Sequence, residues 1–276
     1  MTAHQRQKAA FCLLWLAAGV TVGVLVVILA YILLQGMPHV SWEFLTAESA
    51  KMGQEGGIFS AIVGTFYFVL LSLIVAMPLG IGAAIYLVEY SDNENLNSVI
   101  NFGIDALAAV PSIVFGLFGF AFFVIFLKPI TGGWSILSGS FTAACMVLPT
   151  LIRTTQEALR AVPTSYREAS LALGATRGQT VRWVVVPTAI PGILTGIILS
   201  LGRVVGETAA LLLTLGGSLG IPHSIFEPAR TLSIHLYLVA MEVGAMDKAF
   251  ATAAVLIILV FIINLSAGWI ARRVLR

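Results

Sequence analysis

Residues 165–187 read SYREASLALGATRGQTVRWVVVP. Two helix starts can be read from this stretch. Ser165 with Glu168 makes an S-x-x-E capping box, which predicts a helix over about 166–173. Gly174 then supplies the left-handed residue that stops a helix. Thr176 with Gln179 makes a second box, T-x-x-Q, and opens another short helix ended by Pro187. Tyr166, Ala169 and Leu173 recur at i, i+3 and i+7, so they share one face. Neither box accounts for that face. Two readings stand open: it fills a groove on another protein, or it packs on this chain's own helices.

To either side the chain is apolar. Of its 276 residues, 59% are hydrophobic and 10% charged, whereas a soluble domain is about a quarter charged. Such a chain could not cover its own surface in water, so the class is an integral membrane protein. The net charge of +2 gives no reason to expect nucleic acid. Cys12 and Cys145 lie in apolar runs with no Cys/His cluster, which predicts neither a disulfide nor a metal site. A membrane core about 30 Å thick needs about 20 apolar residues of helix. Six windows qualify: 11–34, 57–88, 106–127, 135–152, 187–213 and 249–271. The expected fold is therefore all-α and polytopic, with six transmembrane helices. The first run is too long for a signal-peptide core and no A-x-A site follows it, so it reads as a retained helix. The fourth is the weakest, being short and opening on Gly, Ser and Thr.

Local features refine this outline. The second window is too long for one straight span, and Pro78 in MPLGIG (77–82) predicts a bend, whether packing kink or hinge. Pro111-Ser112 with Gly116 and Gly119 predicts a kinked, small-faced helix suited to a pore wall. Residues 230–244 are too short for a seventh span and are expected along the outer face. Asp105 is expected in an N-terminal turn, where the helix dipole favours an acid. Lys/Arg bias sets orientation. With both termini inside, Arg6, Lys8, Arg153, Arg160, Arg167, Arg177, Arg182, Arg272, Arg273 and Arg276 are inner. Lys51, Lys128, Arg230 and Lys248 are outer. The inner loop 89–98, EYSDNENLNS, carries no Lys or Arg and neither helps nor hinders. The division expected is 1–57, a first helix with an external loop, and 58–271, a permease-like domain with a cytoplasmic loop at 153–187.

The fifth window holds GRVVGETAALLL (202–213), with Arg203 and Glu207 amid apolar residues. Either charge at a helix centre costs a few kcal/mol on insertion scales. At i and i+4 the two share a face and can pair, with Gly202 and Gly206 beside them. The pair is either structural glue or the lining of a water-filled path for an anion.

The stretch EASLALGATRGQTVRWVVVP (168–187) resembles the EAA loop of ABC-transporter permeases of the type I importer class. In that pattern E-A-A is followed by three residues, Gly, nine residues and I-x-L-P. Glu168, Ala169, Ser170, Gly174 and Pro187 keep the register, with Ser170 for the second alanine and valines for the isoleucine and leucine. Over most of 56–271 the chain resembles the phosphate-specific transport permeases, and its length favours the PstA-type over the PstC-type partner. The resemblance implies a MetI-like fold. It also implies that Tyr166, Glu168, Ala169, Leu173 and Gly174 form a helix docked in a groove of an ATPase subunit. The implied partners are a PstC-type second permease, two ATPase subunits and an external phosphate-binding protein, in the cytoplasmic membrane. It implies too that charged residues of the fifth helix matter for phosphate passage. Arg203 would carry the anion, and Glu207 would hold the guanidinium when none is present.

No cofactor is expected in the chain. GATRGQT (174–180) lacks the glycine spacing and the lysine of a phosphate-binding loop, so ATP and Mg belong to the partner ATPase. His4, His39, His223 and His235 are scattered, and no catalytic constellation appears. The alternatives are a permease for another oxyanion (molybdate, sulfate, phosphonate), a polytopic membrane enzyme acting on lipid through Arg203 and Glu207, and a channel or ion-driven carrier.

Overall fold

The computed structural model describes residues 3–274. Arg276 lies outside the described residues, as do the side chains of Arg6, Lys8 and Arg272. The chain opens with α1 (Ala3–Gly36), followed by the short α2 (Trp42–Thr46) and a small hairpin, β1 (Ser49–Ala50) against β2 (Glu55–Gly56). Then come α3 (Phe59–Ile85), widened to a π turn at Tyr86–Tyr90, and α4 (Glu94–Ala108). Next are α5 (Ser112–Gly119), continued by π turns through Phe126, α6 (Lys128–Thr131) and α7 (Ile136–Arg160). The remainder is α8 (Thr164–Ala172), α9 (Arg177–Thr180), α10 (Val186–Val205), α11 (Ala209–Thr214), α12 (Leu232–Leu238) and α13 (Met246–Val274). Among the described residues five helices are long and apolar enough to cross a membrane, and six if a bent pair counts as one span.

The fourth window, weakest in the sequence, is the hub. Of the apolar window in α7, 61% is buried, against 28% for the next most enclosed spans. A helix shielded from lipid does not need bulky apolar groups, and small residues let neighbours approach closely. α7 accordingly opens with Ser138, Gly139, Ser140, Thr142, Ala143 and Ala144, all buried. Gly119 of α5 faces Thr142, Gly80 of α3 faces Leu151, and Gly196 of α10 faces Thr154. Phe68, Met146, Val147, Leu151 and Leu211 fill the space between these helices. Ser140 donates from its hydroxyl to the Phe68 carbonyl at 3.3 Å, a cross-helix bond. α1 stands apart, laid along α13, with Gly36 against Phe250 and Ala254 and Tyr31 edge-on to Phe250. Leu29, Ile32 and Leu33 are half-buried, and from Phe11 to Ile28 the large side chains of α1 are exposed, as a lipid-facing helix requires.

Several expectations need correction. The third window is two helices, α4 and Ser112–Phe126, meeting at 101°. Pro111 withdraws a backbone donor and drives the preceding residue from helical geometry, so a break forms where a kink was expected. Asp105 therefore sits in the last turn of α4 and not in a first turn. Arg153 of α7 holds it, donating from Nε to Oδ1 at 2.8 Å and from Nη2 to Oδ2. Pro78 lies within α3, which continues past it. Pro187 does not end a helix, since one helical run extends over Arg177–Val205. The π turn at Val181–Val185 widens the helix just ahead of the proline ring and relieves the clash that would stop it. Residues 230–244 do not lie along a face: Leu232, Ser233, Ile234 and His235 are buried between α3 and α13. Cys12 and Cys145 are unpaired.

Candidate coupling helix and translocation path

α8 hangs beyond the end of α7. Pro163 (φ −57°, ψ 138°) sets its start, because a fixed φ suits the residue that leads into a helix. Ser165 thereby becomes an interior first-turn residue, and the expected box with Glu168 does not form. The helix ends as the sequence suggests. Gly174 has φ +85°. The Gly174 N–H donates to the Leu171 carbonyl at 2.9 Å and the Ala175 N–H to the Ser170 carbonyl at 3.3 Å, a Schellman closure. The Thr176/Gln179 box is complete in both directions.

None of the residues of α8 is buried. Tyr166, Glu168, Ala169 and Leu173 are all exposed, Leu173 at 90%. The apolar face picked out at i, i+3 and i+7 thus points away from the chain's own spans. Arg167 and Ser170 are half-buried and point back. Arg167 donates to Glu89 through Nη2 at 2.7 Å and Nε at 3.4 Å. It also donates to the carbonyls of Val162 (2.7 Å) and Leu159 (2.9 Å) at the end of α7. Ser170 and Thr180 share a hydroxyl hydrogen bond of 2.9 Å. Arg177 pairs with Asp92 at 3.2 Å and lies over the Tyr90 ring. The loop without Lys or Arg therefore supplies the acids, Glu89 and Asp92, that tether the arginines of the coupling loop. Both loops accordingly lie at one end of the molecule. Sequence reasoning missed these partners because 78 and 85 residues separate the two halves of each pair. The only signal was a charge imbalance between two loops assigned to one side.

The fifth window breaks beside its charged residues. α10 ends at Val205, Gly206 caps it, and α11 starts at Ala209. Arg203 and Glu207 are thus on different segments, and no ion pair joins them among the described residues. The i, i+4 pairing fails because the helix does not extend through Gly206, which has high backbone freedom. Glu207 instead accepts from the Ala210 N–H at 3.1 Å, capping α11, and its carbonyl accepts from the Ser233 hydroxyl at 2.6 Å. Arg203 is exposed. A side chain added at Gly202 would meet nothing within 4 Å, and at Gly206 only the Gly202 carbonyl. The chain therefore leaves an open face around an intramembrane guanidinium. Such a charge needs water or another subunit beside it.

Comparison with known proteins places this arrangement. Residues 76–276 match the family described as binding-protein-dependent transport system inner membrane component. The chain belongs to that family. This permease is 37% identical over 281 residues to the "probable ABC transporter permease protein YqgI" of Bacillus subtilis, covering 95% of this chain and 94% of that one. It is 35% identical to the phosphate transport system permease protein PstA of Xylella fastidiosa (85% and 80% covered). With PstA 1 of Mycobacterium tuberculosis the identity is 37% (78% and 70% covered). Among solved structures, the permease resembles a bacterial alginate ABC transporter bound to its periplasmic protein: TM-score 0.73, 16% identity, 98% and 96% covered. It also resembles the MetNI methionine transporter: TM-score 0.61, 21% identity, 80% and 95% covered. The fold is that of type I importer permeases, and the chain is a multi-pass transport subunit that works with ATPase and binding-protein partners.

Proposed function

We propose that this permease forms half of a pathway for inorganic phosphate in an ATP-driven importer of the cytoplasmic membrane. A PstC-type permease supplies the other half. Two ATPase subunits, which bind the ATP and Mg, receive the coupling helices, and an external binding protein delivers phosphate. Both termini and α8 are cytoplasmic, and the 49–56 hairpin is external. Names of relatives favour phosphate over molybdate, sulfate or phosphonate. The observation that carries the reading is the free apolar face of α8, tethered from behind by Arg167.

The chemistry follows from placement. Phosphate carries one to two negative charges, and desolvating it needs a cation. Arg203, on an open face at a helix break, supplies one. Glu207 is one peptide segment away and held as the cap of α11. It competes for the guanidinium once the segments realign, so that phosphate does not stay bound. ATP-driven closure of the ATPases moves α8. Through Arg167 and Glu89 that motion reaches the ends of α7 and α3, whose packed cores carry it to the break in the fifth helix.

Radiolabelled phosphate uptake into vesicles holding the full complex tests this reading, with molybdate and sulfate as competitors. ATP-dependent phosphate uptake that sulfate and molybdate do not suppress is expected. Uptake of another oxyanion in preference refutes the phosphate assignment. Normal uptake in both Arg203→Gln and Glu207→Gln removes the gating role.

A further inference from the structure

A second cation lies at the far end of α7 from α8, in the strap 229–231 that leads into α12. Arg230 is only 4% exposed, yet no carboxylate pairs with it among the described residues. Its Nε donates to the Gly217 carbonyl at 3.1 Å and its Nη1 to the Met52 carbonyl at 3.4 Å. A guanidinium has five N–H donors, so most are unspent. Glu242 acts on it only through space, without a contact. A buried charge with no carboxylate in contact is costly, and a fold keeps one where it has a use.

The cover over this arginine is strained. Met52 sits at the tip of the 49–56 hairpin with φ 61°, and Lys51 beside it has φ 44°. Left-handed conformations in such residues are unfavourable and gather where a structure binds or moves. Gly53 (φ +103°) presses its α-carbon so near His235 that an added side-chain carbon would lie 3.0 Å from Cε1. His235 is 1% exposed and its Nδ1 has no hydrogen-bond partner. The first turn of α12, which follows the strap, is joined to the break in the fifth helix, since the Ser233 hydroxyl donates to the Glu207 carbonyl. Arg230 and Arg203 thus flank one joint.

We infer that Arg230 is a second binding residue for the transported oxyanion, taking it on the external side when the 49–56 hairpin lifts, before Arg203. The inference rests on the phosphate reading above. The chain's own loops cover Arg230, which a docking protein's side chain could not reach through the closed hairpin. A small tetrahedral anion in the pathway can reach it once the hairpin moves, and it meets unspent N–H donors. The two carbonyl contacts hold the guanidinium in place between transport cycles.

The test uses the assembled complex in vesicles with saturating binding protein and ATP. Wild-type complex that moves no phosphate would overturn the functional reading itself. Given wild-type uptake, Arg230→Gln should lower uptake at saturating phosphate about tenfold or more, the loss expected when a charge-assisted contact to an anion goes. Arg230→Lys should retain most of the rate, with the complex assembled in both. Uptake in Arg230→Gln equal to wild type overturns the inference. So does an equal loss in Arg230→Lys, which would mark a purely structural clasp. Arginine modification by phenylglyoxal, read at the Arg230 peptide by mass spectrometry, needs no variant. During ATP turnover Arg230 should react, and excess phosphate should slow the reaction. Absence of reaction, or indifference to phosphate, refutes the proposal.

Discussion

Arg167→Ala should release the coupling helix from the membrane body. In the structure Arg167 holds α8 through two contacts to Glu89 and two to carbonyls at the end of α7. The Glu89 side chain is 8% exposed and that of Arg167 21%, so the pair is largely desolvated. Removing one partner of a buried pair costs about 3–5 kcal/mol, because the other charge is left without compensation. Arg167 keeps some solvent, so the low end, about 3 kcal/mol, applies. At 1.36 kcal/mol per decade that is roughly a hundredfold shift from docked to undocked α8. Amide hydrogen exchange in the assembled, nucleotide-free complex reads this shift directly. Protection across 169–173 should fall by roughly that factor in Arg167→Ala. Glu89→Gln should lose less, since the amide oxygen still accepts from Arg167. Exchange over 169–173 that is the same in Arg167→Ala as in wild type would refute the tether.

Other consequences are equally specific. Gly119→Ala should destabilise the protein by about 1–3 kcal/mol, since the added carbon collides with Thr142, whereas Gly82→Ala, which meets nothing within 4 Å, should be neutral or slightly stabilising; thermal unfolding in detergent compares them. Gly174→Ala should cost about 1 kcal/mol from left-handed strain alone, because open space surrounds it, and the same melting assay reads it. His235, outside the spans, has its pKa pushed down to about 4 by burial and, secondarily, by the Arg230 charge. The unfolded chain, titrating near 6.5, then binds the extra proton first. Stability from this group is thus full above pH 6.5 and falls as pH drops towards 4, by up to about 3 kcal/mol. A His235→Phe variant should flatten that part of the melting-temperature profile, and an unchanged acid limb would show that His235 does not cause it.

What the sequence could disclose depended on the range of the interaction involved. Charge-free windows report lipid contact, so five of the expected spans are present as long helices; the third had to be divided in two, and the fifth ends early, at Val205. The coupling loop was legible because its punctuation is local: Gly174 stops α8, and Thr176 with Gln179 starts the next turn. Hydrophobicity was a poor guide to α7, which hides from lipid and is built from Ser, Gly and Thr for close packing. The breaks at 109–111 and 206–208 had local signals in Pro111 and Gly206. At 109–111 a continuous apolar pattern hid the severity of the break, and at 206–208 the apolar runs on either side did so. Glu89 with Arg167, Asp105 with Arg153 and the burial of Arg230 are products of tertiary folding. A single sequence shows the charges but not which of them meet.

The outward face of α8 is where a separate ATPase would deliver its motion. Site-specific cross-linking from Leu173→Cys in the assembled complex examines this most directly, with phosphate uptake followed before and after the cross-link forms. The expected result is a covalent product containing this permease and an ATPase subunit, with ATP-driven uptake arrested until the bond is reduced. A cross-link confined to the permease chains, or full uptake with the ATPase cross-linked at that position, would contradict it.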